Sequence, residues 1–293
     1  MLDIASNYIV HNVDEVLELL ERCKDTRVIA GGTDLLIKIR NGRLPSAQLI
    51  SINAVEELKG ISLRTDGSLR IGPLVTFREL ESNHIIASCV PILACAAGCV
   101  GGPQIRAIGT IGGNICNGAT SADTAPSLFA LNACLLMRRL SGKETMAIED
   151  FYLGPGKVKL SHGTLLTDII IRREDYEGYR GYYVKYAMRR AMDIATLGCA
   201  VQLRVCGGRI VDIRIAFGVA APVPLRLKQT EAELLGMIPE EALIRGPALV
   251  RAEIRPRGSW RASQDFRLHI AGEIFSLAFD EALKRVKQDA LYS

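Results

Sequence analysis

The 293-residue chain has no Cys-x-x-Cys pair, although it carries eight cysteines, at 23, 89, 95, 99, 116, 134, 199 and 206. Their scatter excludes the plant-type ferredoxin spacing as well. Reduced thiols packed as small apolar side chains are therefore expected. Cys95 and Cys99, four residues apart on a helix face, come nearest to a metal pair. Histidine is scarce, with four residues at 11, 84, 162 and 269, too dispersed for a ligand motif. No metal and no iron–sulfur cluster is expected on this chain. Apolar runs long enough to span a bilayer are missing, as is an N-terminal basic stretch followed by an apolar core; a cytoplasmic protein is the expectation. Nor is charge of one sign in excess. The net charge is +4, without a basic patch interleaved with aromatics, which gives nucleic-acid binding no footprint.

What is present is an ordinary globular composition, 48% apolar, in a chain long enough for two domains. Two short loops stand out, Ala30-Gly31-Gly32-Thr33-Asp34 and Thr110-Ile111-Gly112-Gly113-Asn114. Both follow stretches that read as strands. Paired glycines let the backbone turn sharply and approach a ligand, and the exposed N–H groups of such turns form a nest for phosphate oxygens. The threonine hydroxyls and the Asn114 amide add donors. Two loops closing on one diphosphate suit a dinucleotide; a lone Gly-Gly turn more often serves only the fold. The usual nucleotide fingerprints are missing. Gly154-Pro155-Gly156-Lys157 has Phe151 where a P-loop needs its first glycine and Val158 where it needs Ser or Thr. A Rossmann Gly-x-Gly-x-x-Gly with a downstream acid is absent too.

Along the chain, Asn12 with Glu15 marks a helix start, and Val13, Val16, Leu17 and Leu20 give that helix an apolar face. A strand over 27–30 delivers the chain into the first glycine loop. A helix from Asp34 to Arg40 would turn its N-terminus towards that loop, and a strand over 48–52 would run parallel to the first. The next unit has a hairpin about residues 65–68, helices over 76–82 and 91–100, and strands over 133–138, 144–147 and 166–172. A charged connector near 173–180 marks the expected domain boundary. Beyond it, strands over 195–206 and 209–219 are joined by Gly207-Gly208, with helices near 229–236, 239–251 and 263–286.

The strings AGGTD near residue 30 and TIGGN near residue 110, in this order and spacing, resemble the FAD-binding chain of the molybdenum hydroxylases, in particular the bacterial xanthine dehydrogenase type. The likeness extends from Asp3-Ile4-Ala5-Ser6 to Arg261-Ala262-Ser263 and Phe266-Arg267-Leu268-His269. It implies an α+β architecture: a two-subdomain FAD-binding fold of the vanillyl-alcohol oxidase (PCMH) type over residues 1–176, divided at about 57, then a C-terminal domain over 177–293 with antiparallel strands and helices, like that of the CO dehydrogenase flavoprotein.

By the same resemblance, Arg27, Val28, Ile29, Ala30, Gly31, Gly32, Thr33 and Asp34, with Gly109, Thr110, Ile111, Gly112, Gly113 and Asn114, form the two diphosphate segments. Asp123 falls where the family places a carboxylate on the adenosine ribose; the plainer reading is a cap on a helix starting at Thr124. Leu166 falls against the flavin ring and Lys185 near its pyrimidine end, where a cation would stabilise charge developing on reduction. The string Gly154-Pro155-Gly156-Lys157 followed by Leu160 is typical of the xanthine dehydrogenase-like members. Val100 stands where animal relatives stack an aromatic ring on the adenine. No residue of the chain is expected to act as an acid or base. The implied role is electron transfer: from the 2Fe–2S clusters of a small partner subunit, through FAD, to NAD+, with a molybdenum-cofactor large subunit oxidising a purine such as xanthine. Carbon monoxide, nicotinate or aldehyde substrates with another acceptor are the alternative. A self-contained flavin oxidase and a non-catalytic nucleotide-binding scaffold are the remaining readings.

Overall fold

The computed structural model describes residues 2–292, with side chains described as far as residue 288. Its first unit is a three-stranded parallel sheet built from β1 (Ile4–Ile9), β2 (Thr26–Ile29) and β3 (Ala47–Ser51) in the order β1-β3-β2. Helices α1 (Val13–Arg22) and α2 (Leu35–Arg40) are the crossovers that parallel pairing requires. The apolar stripe read in the sequence is the buried face of α1: Val13, Val16, Leu17 and Leu20 are all in the core. Asn12 caps that helix, its Oδ1 accepting from the Glu15 N–H at 2.9 Å. The parallel pairing of β2 with β3 is as expected. Strand β1 is an addition to the sequence reading. It lies at the sheet edge and is exposed along most of its length, so it carries no alternation to betray it.

The second unit is a five-stranded antiparallel sheet in the order β4-β5-β10-β6-β7. Its strands are β4 (Ile61–Leu63), β5 (Leu69–Ile71), β6 (Cys134–Arg139), β7 (Gly142–Ala147) and β10 (Leu165–Ile171); a small ribbon of β8 (Tyr152–Gly154) and β9 (Lys157–Val158) precedes the last. Helices α3 (Phe77–Ser82), α4 (His84–Cys89), α5 (Pro91–Gly98), α6 (Pro103–Ile108), α7 (Ile111–Cys116) and α8 (Thr124–Ala130) fill the long connection between β5 and β6. Most of the approach to the second glycine loop, read as strand-like, is instead helical, over residues 103–108. Gly102 and Pro103 explain the difference, because a proline at the first helical position has its φ preset and gives up an N–H that would be unpaired anyway. The small residues of α5 permit close packing, and Leu93, Ala96 and Ala97 are fully buried beside Leu69, Ile71, Leu135 and Ile169.

The third unit is the antiparallel sheet β11 (Arg180–Tyr186), β12 (Leu197–Cys206), β13 (Arg209–Gly218) and β14 (Leu225–Arg226). Gly207 and Gly208 both take positive φ, the conformation that a two-residue hairpin turn demands. One face packs on α9 (Lys228–Leu234), α10 (Pro239–Glu253) and α11 (Gln264–Tyr292) through Leu197, Val201, Phe217, Phe275 and Phe279. The other face closes on the second unit, where Tyr183, Ala200 and Ala216 join its core. Polar latches fix this seam. Arg214 reaches the buried Asp175 at 3.0 Å, and Arg226 reaches Asn132 at 2.7 Å.

Candidate functional site

Where the first unit meets the second, a cleft of about 340 Å3 opens between the two glycine loops. All eight residues from Arg27 to Asp34 line it, and Thr110, Gly113 and Asn114 face them from the second loop. The loops touch because Gly31 lacks a side chain: a Cβ there would sit 1.9 Å from the Ile108 carbonyl oxygen, beside Gly109. Gly32 makes the turn at φ +69°, a conformation that costs an L-residue about 1 kcal/mol. Among the described residues, the N–H groups of Gly31, Gly32, Thr33 and Asp34 donate to no protein acceptor. Four successive free amides in a turn, with the Lys38 cation on the same cleft, are the donor set that a diphosphate requires.

The second loop is not the free nest that the sequence suggested. Thr110 caps α7, and the amides that follow are taken up by protein: Ile111 by the Val75 carbonyl at 3.0 Å, Gly112 by Pro73 at 2.9 Å, and Asn114 by Thr110 at 3.0 Å. Gly113 donates to the Thr110 hydroxyl at a long 3.2 Å. Ile111 and Gly112 are buried, and Gly109, Ile111 and Gly112 line no part of the cleft. What this loop offers is open space over Gly113, where an added Cβ would meet only the Thr110 hydroxyl, together with the Asn114 amide. Asn114 is oriented by Thr124, whose hydroxyl donates to its Oδ1 at 2.6 Å.

Three further expected residues lie off the cleft. Leu166 is packed in the core of the second unit, beside a bulge in β10. Asp123 precedes α8 but makes no capping bond, which corrects the plain reading of it. Its backbone is already helical, and its carboxylate turns instead to Lys185 at 2.8 Å and to the Tyr183 hydroxyl at 2.9 Å. Lys185 also donates to the Cys99 carbonyl at 2.9 Å. The residues assigned to opposite ends of a ligand thus form one buried ion pair on the seam with the third unit. Burial raises the Asp123 pKa against the opposing pull of Lys185, and burial with the Asp123 charge pushes the Cys99 thiol up to about 11. Cys116, on the cleft wall, is pushed up to about 12 by burial, which keeps it a neutral thiol.

The sequence reading missed the far wall. Leu160, Ser161, His162, Gly163 and Thr164 form that wall of the cleft, and Lys38 and Asn117, which share a 2.8 Å hydrogen bond, line it too. Two signals were available. Lys38 lies one helical turn beyond Asp34, on the face that returns over the loop. Ser161-His162-Gly163-Thr164 is a turn-forming string, and Gly163 takes φ +76°.

The chain as a whole has counterparts among known proteins. Residues 4–172 match the family model described as the FAD binding domain in molybdopterin dehydrogenase, and residues 182–282 match the CO dehydrogenase flavoprotein C-terminal domain. The xanthine dehydrogenase FAD-binding subunit of Escherichia coli O157:H7 is 38% identical, over 97% of each chain. The glyceraldehyde dehydrogenase medium chain of Sulfolobus acidocaldarius is 31% identical, over 92% of this chain and 95% of that one. In structure, carbon monoxide dehydrogenase from Hydrogenophaga pseudoflava superposes with a TM-score of 0.91 at 29% identity, over 97% of this chain and 99% of its own. The architecture is therefore the two-part FAD-binding fold followed by a CO dehydrogenase flavoprotein C-terminal domain. The chain belongs to the FAD-binding medium subunits of the molybdenum hydroxylases, a family of oxidoreductases.

Proposed function

We propose that this chain is the flavin-carrying electron-transfer subunit of a xanthine or purine dehydrogenase, taking electrons from the 2Fe–2S clusters of a small partner subunit and delivering them to NAD+, beside a large subunit that holds the molybdenum cofactor. The xanthine dehydrogenase subunit, similar along 97% of the chain, supports the substrate class. In this reading the flavin domain spans residues 1–176 and the C-terminal domain 177–293.

The row of unpartnered amides from Gly31 to Asp34 carries the reading. They would hold the FAD diphosphate, with Thr110, Gly113 and Asn114 closing over it from the facing loop. Lys38, anchored by Asn117, would add a positive charge to the diphosphate. Asp123, Leu166 and Lys185 lie off this cleft and would meet the ribose and the flavin ring only where the cofactor extends beyond the diphosphate, with Asp123 and Lys185 exchanging part of their mutual ion pair for it. FAD in this cleft would supply the one- and two-electron chemistry. The protein's part is to bind, to orient and to keep water from the diphosphate.

The test is a visible absorption spectrum of the purified chain before and after anaerobic NADH. A flavin spectrum that bleaches is the expected result. A flavin that NADH leaves oxidised, in the assembled enzyme as well as in the isolated chain, would overturn NAD+ as acceptor. A chain that binds no added FAD would overturn the cleft assignment.

A further inference from the structure

Away from the cleft, the segment 255–263 brings α10 round to α11 and sets its Arg257 and Arg261 beside Arg267 of that helix. Arg267, in the first turns of α11, is 2% exposed. Its guanidinium donates to the Arg257 carbonyl and, at 2.8 Å, to the Ser259 hydroxyl, fastening the segment to the helix. Arg261 lies over the ring of Trp260 at 4.2 Å. Among the described residues none of Arg257, Arg261 and Arg267 makes an ion pair, and the buried Nε groups of Arg261 and Arg267 have no acceptor. The charges of Arg257 and Arg261 add to burial in holding the Arg267 pKa below the usual arginine value. A buried guanidinium with a spare donor and like-charged neighbours is costly unless an anion completes the site.

Trp260 crowns this cluster at 81% exposure, and it is the only tryptophan of the chain. Phe266 continues the apolar surface from the same segment to Tyr186, with ring centroids 5.8 Å apart. Met188 and Met192, on the loop after Tyr186, are 66% and 62% exposed. Exposed Trp260, Phe266 and Tyr186 beside arginines that make no ion pair among the described residues have the composition of an interface centre, not of a solvated face.

We propose that the Arg257–Arg267 segment, with Trp260 at its centre, is a docking site for an acidic, carboxylate-bearing surface of a partner subunit. The carboxylate pairs with the exposed Arg257 and the half-buried Arg261, offsetting the unpaired charge of Arg267 behind them, and the apolar rim of Phe266 and Tyr186 excludes water around it. The inference rests on the reading that the chain works in a multi-subunit hydroxylase.

The experiment co-expresses the chain with the other subunits of its own enzyme and follows their retention by native mass spectrometry across a salt series. Trp260→Ala and Arg257→Glu are compared with Arg78→Glu, an exposed arginine of the second unit. Both segment variants should weaken retention roughly tenfold or more, while flavin content and melting temperature stay at wild-type values and Arg78→Glu changes nothing. In the wild type, Trp260 emission should shift to the blue on assembly. Wild-type retention in both segment variants would overturn the docking site and leave the assembly reading intact. A wild-type chain that retains no partner would overturn that reading, and this site with it. Saturable quenching of Trp260 by inorganic phosphate, with retention unaffected by the variants, would replace the protein partner with a small anion.

Discussion

In the Ala30–Asp34 loop, four successive amides have no protein acceptor. In the Thr110–Asn114 loop, the four amides from Ile111 to Asn114 are all taken up by Val75, Pro73 and Thr110. The two strings look alike, yet the first is a nest and the second is a capped helix start. The division of labour inside each glycine pair is nevertheless the same. Gly31 and Gly112 exist for packing: a Cβ would lie 1.9 Å from the Ile108 oxygen in one case and 2.4 Å from the Pro73 Cβ in the other. Gly32 and Gly113 face the cleft, one supplying the turn and the other the space. A glycine pair thus does two jobs at once, bringing backbones together with its first member and keeping the cleft open with its second.

Alanine at the packing glycines should give the largest effects. Gly31→Ala drives a Cβ into backbone that cannot move alone, so a loss of roughly 3 kcal/mol of stability is expected, together with loss of flavin. Gly112→Ala meets the ring and carbonyl of Pro73 and should cost about 2 kcal/mol. Urea unfolding of the flavin-free chain reads both directly. Wild-type midpoints would mean that the two loops are not held together as the structure has them.

Next comes Gly32→Val. Its φ of +69° suits no β-branched residue, and the new side chain would press on Leu36, 3.0 Å from the Cβ. The amide nest should lose its shape, and flavin occupancy should fall close to zero, while stability drops by only about 1–2 kcal/mol. Full flavin content after purification would end the assignment of the first loop as the diphosphate site.

The sequence showed much of this fold and only part of its logic. The parallel pairing of β2 with β3, the α1 face and the Gly207-Gly208 hairpin were legible because each rests on a local period or a local φ requirement. Strand β1 was not, since an exposed edge strand needs only backbone partners. The first loop could be recognised as a nest, but occupancy of the second loop's amides depends on Pro73 and Val75, nearly 40 residues away. For the same reason Asp123 and Lys185 could each be singled out but not paired. Their 2.8 Å contact spans two units and is decided by how α8 and β11 dock. The far wall at residues 160–164 carries turn chemistry and no periodicity, and only the fold shows that it closes the cleft.

Gly113→Ala sharpens the comparison between the members of one pair. The added methyl would meet only the Thr110 hydroxyl, 3.0 Å away, so the unfolding midpoint should stay near wild type, where Gly112→Ala lowers it. Flavin affinity should fall by about tenfold, because the methyl would stand in the approach of the diphosphate to the backbone. An affinity equal to wild type, measured by fluorescence titration with FAD, would remove the second loop from the binding surface.

The smallest expected effect belongs to Lys38. It lies in the cleft, half-buried, its Nζ held 2.8 Å from Asn117 Oδ1. Lys38→Met keeps the stem that packs along α2 and removes only the charge. A partly exposed cation beside a diphosphate contributes about 1 kcal/mol, so affinity should weaken roughly fivefold and depend less steeply on salt. Lys38→Arg should restore much of both. If Lys38→Met binds FAD with wild-type affinity and salt dependence, the diphosphate is held by the amides of the first loop alone, and the contrast between the two loops becomes sharper still.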